Sequence, residues 1–265
     1  MIILITGITS GFGKAMAERL SRDGHKVYGT HRHAQEQIPG VTYIKADATD
    51  VGQVKNAVDT VMAGEGRIDV FINNAGMGIA GSLELATQEE IRVQMDTNFM
   101  GCVNLCQKVL PYMRKQGYGK IINLSSIGGV MGLPYQGFYS ASKFAIEGFS
   151  EALSAEVKRW GISVSLVEPG DFATNFTASR KNSEITMKDP EYGPVFKKSL
   201  SLIEKEENGG LKPEVLAKRI EGIVEAKRPR LRYVVANLEQ KLSVLLKRVL
   251  PGNMFVNILR GYYKS

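Results

Sequence analysis

Apolar residues gather into short runs at residues 1–6, 26–30, 41–46, 68–74, 120–126, 162–168 and 231–236. Runs this short and this apolar suit strands covered on both faces, as in a parallel sheet. Between them lie longer stretches of helical period: from a glycine turn to Leu20, to about residue 64, over 87–116 with a break near Asp96-Thr97-Asn98, and over 138–157. A last one, 212–226, is opened by Pro213. Asp50 or Thr49 is the expected cap of the second helix. The alternation predicts an α/β fold, a doubly wound sheet of seven parallel strands, with ligands beyond the carboxyl ends of the strands.

Two segments fall outside this alternation. Residues 171–209 form a long insert rich in aromatics, Phe172, Phe176, Tyr192 and Phe196 together with Met187, and inserts at the strand-end face act as lids over a substrate. Some of these rings belong to ordinary core. The second segment, 237–265, is expected to follow a domain of residues 1–236 as a basic, amphipathic extension. Leu238, Leu242, Leu245 and Val249 share a helical face, with Lys241, Lys247 and Arg248 off it. After Pro251-Gly252 a second run offers Phe255, Ile258, Leu259 and Tyr262 with Arg260 and Lys264. Two readings stand: peripheral contact with a membrane surface, or a helix that covers the sheet or the substrate pocket.

At 265 residues with 43% hydrophobic side chains, the chain can bury one sizeable α/β core. No stretch is apolar for about 18 residues, and residues 1–6 lack the regions of a signal peptide, which points to a cytoplasmic enzyme. Cys102 and Cys106, four apart in a helical run, read as core thiols. The net charge of +7 is concentrated in the last 39 residues, which carry 9 basic and 1 acidic side chains. With no base-reading or stacking motif, nucleic acid is a poor partner. His31, His33 and the remaining histidine, His25, do not make a zinc pattern, and no metal is expected.

The candidate chemistry begins at Thr6-Gly7-Ile8-Thr9-Ser10-Gly11-Phe12-Gly13, between the first strand and first helix. Glycines there let the backbone approach a pyrophosphate, and the helix start offers free N–H groups. About 20 residues on, an NAD site usually carries an acid for the ribose 2′-hydroxyl. Here Thr30-His31-Arg32-His33 supplies no acid, and Arg32 offers a cation to a 2′-phosphate, favouring NADP(H) over NAD(H). The competing reading is a solvated charge cluster. Tyr139 and Lys143, four apart on one helix, can be a surface pair or an acid and its activating ammonium. Ser126, 13 residues before Tyr139 at a strand end, could hold a substrate oxygen beside it.

Together these residues resemble a known family. The glycine turn, Asn73-Asn74-Ala75-Gly76, Asn98, Ser126, Tyr139-xxx-Lys143 and Pro169-Gly170 stand in the order and spacing of the short-chain dehydrogenase/reductases, closely over residues 1–176. Residues 128–135 and 139–148 look most like the 17β-hydroxysteroid and retinol dehydrogenase branch. The resemblance implies a Rossmann-type single domain and a catalytic set of Asn98, Ser126, Tyr139 and Lys143. Tyr139 would be the general acid, with Lys143 lowering its pKa and binding the nicotinamide ribose. Ser126 would bind the substrate oxygen, and Asn98 would anchor a water leading to Lys143. On the cofactor it implies Gly7, Gly11 and Gly13 at the pyrophosphate, with Ser10 and Phe12 in the same turn. Asp47 and Ala48 would meet the adenine, Asn74, Ala75 and Gly76 the ribose region, and Pro169, Gly170 and Thr174 the carboxamide end. Ser10 stands where many NADP-preferring members carry a basic residue, so the preference rests on Arg32.

The expected activity is NADP(H)-dependent interconversion of a ketone or aldehyde and its alcohol. The substrate is expected to be steroid-, retinoid- or lipid-like, in an apolar pocket lined by Met77, Leu133, Tyr135, Phe138, Phe172 and Phe176. A 3-oxoacyl reductase of fatty-acid metabolism is the alternative within catalysis; a non-catalytic NADPH-sensing scaffold is the alternative outside it. By resemblance a homodimer or homotetramer forms through the helices containing residues 98–116 and 138–160.

Overall fold

The computed structural model describes residues 1–33 and 37–263. Its first half runs β1 (Ile2–Thr6), α1 (Gly11–Arg22), β2 (Lys26–His31), β3 (Val41–Lys45), α2 (Val51–Glu65), β4 (Val70–Asn73), β5 (Ile79–Ala80), α3 (Gln88–Met95) and α4 (Gly101–Gln116). There follow β6 (Gly119–Leu124), α5 (Gly137–Val157), β7 (Ile162–Pro169), α6 (Asn175–Ser179), β8 (Lys181–Asn182) and α7 (Glu184–Lys188). The chain closes with α8 (Tyr192–Asn208), α9 (Pro213–Glu225), β9 (Arg232–Val235), α10 (Leu238–Val249) and α11 (Gly252–Tyr263).

Seven strands form one sheet in the order β3-β2-β1-β4-β6-β7-β9, and each neighbouring pair is parallel. The period of two along a strand divides its side chains between the two faces. Ile3 and Ile5 of β1 face Met16, Leu20 and Ile220 beneath α1 and α9. Leu4 faces Phe71, Val58, Leu105 and Leu153 beneath α2, α4 and α5. Both faces being covered is why β1 is buried at every position and apolar as far as its last residue, Thr6. The sheet reverses its winding at β1, between β2 and β4, and the crevice beyond that point is where such folds place a dinucleotide.

The expected elements are present with shifts of a residue or two at their ends. Asp50 caps α2, its carboxylate accepting from the N–H groups of Gly52 and Gln53. The expected break near residue 96 is a π-helical turn, Asp96–Met100, which buries Asn98. The fifth long strand ends at Leu124, not 126, because Ser126 is extended and caps a short turn at Ile127–Gly129. Cys102 and Cys106 are free and buried in the core.

One small feature had no sequence signal. β5 and β8 pair in parallel, joining the loop after β4 to the insert after β7. Among the described residues, no helix is long and apolar enough to cross a membrane. The tail forms α10 and α11 as its periodicity predicts, although Lys264 lies outside the described residues.

Candidate active site

The glycine turn leaves β1 with Gly7 at φ +68° and reaches α1 with Gly11 at φ +51°, conformations that a side chain disfavours. Gly13 is needed for a different reason: a Cβ there would lie 1.9 Å from the Gly7 carbonyl oxygen, so it sets the packing of helix against turn rather than facing the crevice. Ser10 makes no side-chain cap to α1, and the first turn holds no acid, so the helix start and its positive end suit an anion. The Thr6 hydroxyl accepts from the N–H groups of Asn74 (2.8 Å) and Ala75 (2.9 Å). Asn74 returns its amide hydrogens to the carbonyls of Thr6 (2.8 Å) and Gly7 (3.0 Å). Asn74 therefore fixes the turn from the side, while its residue still borders the cavity.

A cavity of about 330 Å³ runs from this turn to Tyr139. Gly7, Ser10, Gly11, Phe12, Asn74, Ala75 and Gly76 line one stretch, and Ser126, Tyr139, Lys143, Pro169, Gly170 and Thr174 another. A nucleotide pyrophosphate with a ribose and ring beyond it fits this donor set and this continuity. Arg32, Asp47 and Ala48 stand outside the cavity lining. Arg32 is exposed two residues past Thr30, whose carbonyl accepts from Gly7 (3.0 Å) and Ile8 (3.2 Å), so the turn and the end of β2 are tied together. Asp47 accepts from Thr49, and the Ala48 methyl packs on Gly101.

Lys143 is buried and its ammonium donates to the Leu124 carbonyl at 2.9 Å; burial pushes its pKa down to about 8. Tyr139 stands with its ring centroid 5.9 Å from the Lys143 nitrogen. Burial dominates the phenol and pushes its pKa up to about 12, against an opposing hydrogen bond with Ser126. Burial thus governs Tyr139 in this geometry, and the phenol holds its proton at neutral pH. The Ser126 hydroxyl accepts from the Gly128 N–H at 3.0 Å.

The Asn98 amide is engaged by protein. Its oxygen accepts from the Met77 N–H at 2.8 Å, and its nitrogen donates to the Met77 carbonyl and to the Ser142 hydroxyl, both at 3.0 Å. Its side chain clamps the segment after Gly76 onto α5. Gln94 adds to the clamp, donating to Met77 (2.9 Å) and accepting from Ile79 (2.8 Å). The spacing of Gln94 and Asn98, four apart in a helical run, is the signal that could have exposed the pair.

Of the expected substrate-lining residues, Met77, Leu133, Phe172 and Phe176 border the cavity. Phe172 stands edge-on to Phe12 at 4.9 Å, and Phe176 lies 5.8 Å from Tyr139. Tyr135 and Phe138 do not belong to the lining. Tyr135 adopts φ +58° and packs 5.3 Å from Phe196 in a separate core, because the loop before α5 turns it away; Phe138 borders a small second hollow.

The insert expected as a lid and the tail, one of whose two readings was a helix over the pocket, both reach the wall. Leu202, Ile203, Glu206 and Glu207 come from α8, while Phe255, Ile258, Leu259, Tyr262 and Tyr263 come from α11. The pocket is also less uniformly apolar than expected, since Asp171 joins Glu206 and Glu207 in it. Burial, then Glu207 and Glu206, push the Asp171 pKa up to about 6. Glu207 pairs with the buried Arg180 and accepts from Thr177 at 2.7 Å. α10 is held here by Gln240, which accepts from the Asp171 N–H at 3.2 Å and donates to its carboxylate. Its approach explains Gly170, where a Cβ would lie 2.1 Å from the Gln240 oxygen.

A crevice fit for a dinucleotide, opening on a Ser, Tyr and Lys set, defines a nicotinamide-dependent oxidoreductase. The family model described as short chain dehydrogenase matches residues 1–185, and the chain belongs to that family of oxidoreductases. It is 55% identical over 262 residues, covering 99% of this chain and 97% of the relative, to 3-ketodihydrosphingosine reductase of Bacteroides thetaiotaomicron. It is 33% identical over 88% of its length to NADPH-dependent 3-dehydrocapnine reductase of Ornithobacterium rhinotracheale, covering 87% of that protein. Retinol dehydrogenase 8 of Homo sapiens shares 32% identity over 96% of this chain and 87% of its own, in keeping with the branch resemblance. Among solved structures, a short-chain dehydrogenase from Streptomyces avermitilis is 30% identical with a TM-score of 0.82, covering 98% of this chain and 99% of that one.

Proposed function

We propose that the protein is an NADP(H)-dependent reductase of a long-chain ketone of the sphingoid type, in which an amino group stands beside the carbonyl. The observation that carries this reading is the composition of one cavity. Tyr139 and Ser126 share it with apolar side chains from α8 and α11 and with the carboxylates of Asp171, Glu206 and Glu207. Apolar walls suit an alkyl chain, and carboxylates in a low-dielectric site favour an ammonium. The likeness to 3-ketodihydrosphingosine reductase supports the same substrate class. Arg32, the missing acid after β2 and the NADPH-dependent relative support the cofactor.

When bound, a reduced nicotinamide supplies the hydride. Gly7, Gly11 and the start of α1 would hold the pyrophosphate, and Lys143, with two N–H donors left after its bond to Leu124, the nicotinamide ribose. The Ser126 hydroxyl donates to the substrate carbonyl and orients it beside Tyr139. A phenol with a pKa near 12 is neutral at physiological pH and gives its proton to the oxygen as negative charge develops there. Phe172 and Phe176 exclude water from that oxygen. By resemblance the working assembly is a homodimer or homotetramer through α4 and α5, on which Phe144 is exposed.

The test is NADPH oxidation by the purified protein with a panel of carbonyls, with Tyr139→Phe as control. The panel holds a long-chain 2-amino ketone, its deaminated analogue, retinal, a steroid ketone and an acyl-carrier thioester. We expect highest kcat/KM on the amino ketone and a loss of about 10²- to 10⁴-fold in the variant. Preference for the thioester would return the 3-oxoacyl reductase reading, and NADPH binding without turnover of any carbonyl the sensing scaffold.

A further inference from the structure

The two faces of the tail have different occupants. On α10, Val244 is buried against Ile127 and Met131, and Gln240 and Leu246 line the cavity. The stripe Leu238, Leu242, Leu245 and Val249 points the other way, with relative exposures of 82, 51, 55 and 66%. The apolar face legible in the sequence is therefore not the one that covers the pocket. On α11, Phe255 is buried at 2% while Ile258 and Tyr262, exposed at 47 and 51%, also border the cavity. The outward apolar surface thus continues into the rim of the substrate chamber.

Charge selects what this surface meets. Residues 238–263 hold four cations, Lys241, Lys247, Arg248 and Arg260, against one acid, Glu239. A symmetric contact between two copies would set the same cations against each other. A bilayer with anionic headgroups meets both features, taking the apolar stripe into its interface and pairing the cations with phosphates. Each helix has 12 residues, too short to span and suited to lie in the interface.

We infer that α10 and α11 form a docking surface for an anionic lipid bilayer, placing the cavity rim formed by Ile258 and Tyr262 against the membrane, so that an amphiphilic substrate passes between bilayer and site. The docking itself stands on the tail alone; the passage of substrate rests on the reading of the protein as a lipid ketone reductase.

The experiment is flotation of the full chain with phosphatidylcholine vesicles and with vesicles carrying 30% phosphatidylglycerol (about one lipid in three, to give a strong surface potential). The comparison is with Leu242→Asp/Leu245→Asp and with Lys241→Glu/Arg248→Glu, neither pair of which borders the cavity. We expect at least about tenfold greater binding to the anionic vesicles, and about tenfold loss in each variant at unchanged melting temperature. Turnover of a short, water-soluble ketone should be equal in all three proteins. Absence of binding to anionic vesicles overturns the inference, as does a wild-type dimer that Leu242→Asp/Leu245→Asp dissolves, which would assign the patch to a second copy. No flotation with full reduction of a detergent-dispersed lipid ketone removes the docking and leaves the function; flotation with no ketone turned over removes the function and leaves the docking.

Discussion

Asn98 and Met77 are joined by two hydrogen bonds, one in each direction between the asparagine amide and the methionine backbone. The π-helical turn that carries Asn98 swings its side chain out of the helical ladder and onto the loop after β4. A third bond reaches Ser142, whose hydroxyl donates to the Tyr139 carbonyl at 2.7 Å. The loop beside Gly76 and the helix that carries Tyr139 are thereby held as one piece.

Removing that link should cost stability and chemistry together. Asn98→Ala leaves the Met77 peptide and Ser142 short of buried partners, with an expected loss of about 1–3 kcal/mol. Urea unfolding measures it. Substrate turnover should fall further than NADPH affinity, because the glycine turn is held separately by Thr6 and Asn74. An equal fall in both would remove the positioning role.

Arg32 should choose between the two dinucleotides. Arg32→Glu is expected to lower kcat/KM with NADPH about 10- to 100-fold, the range of a lost charge-assisted hydrogen bond, while NADH is used at least as well. Losses of equal size with both cofactors would mean that the residue does not meet a 2′-phosphate.

Asp171 should recognise the substrate's amine. In Asp171→Asn, kcat/KM for the amino ketone should drop about tenfold and the deaminated analogue should be unaffected. The wild type should lose the same discrimination as pH falls through about 6, where the raised pKa of Asp171 returns its proton. A pH-independent ratio of the two substrates would argue against it.

Glu168 makes stability depend on pH. It is fully buried, neither carboxylate oxygen has a hydrogen-bond partner, and Arg232 is 3.6 Å away. Burial, then Glu147, push its pKa up to about 7 from an ordinary 4.5. A folded-state pKa above the unfolded value means a contribution complete below about 4.5 and lost as pH rises through about 7. Glu168→Gln should therefore exceed the wild type in stability at pH 8 by about 1–3 kcal/mol, with the difference shrinking toward pH 5. Melting curves at pH 5, 6, 7 and 8 (roughly bracketing the window) decide this; parallel curves would discount the buried charge.

The sheet was legible because each strand is a compact apolar run and each helix has its own period. That the glycine turn, Ser126, Tyr139 and Lys143 share one cavity was legible because each is marked by spacing within a single turn, helix or strand end. β5 and β8 were not, since two residues leave no alternation to read. Asp171 lies 35 residues before the adjacent Glu206 and Glu207 pair, and the three meet only because α8 folds back over the cavity. Tyr135 and Phe138 were misplaced for the opposite reason: closeness along the chain to Tyr139 did not become closeness to its hydroxyl.

Much of the cavity wall comes from α8, α10 and α11, beyond the residues matched by the family model, whereas Ser126, Tyr139 and Lys143 lie within them. The cavity wall is thus written in two parts of the gene, with Met77, Leu133, Asp171 and Phe176 in the part that also encodes Tyr139, and α8, α10 and α11 in the other. Changes in the last 70 or so codons (about a quarter of a domain this size) can therefore reshape that second part of the wall while leaving Ser126, Tyr139 and Lys143 in place.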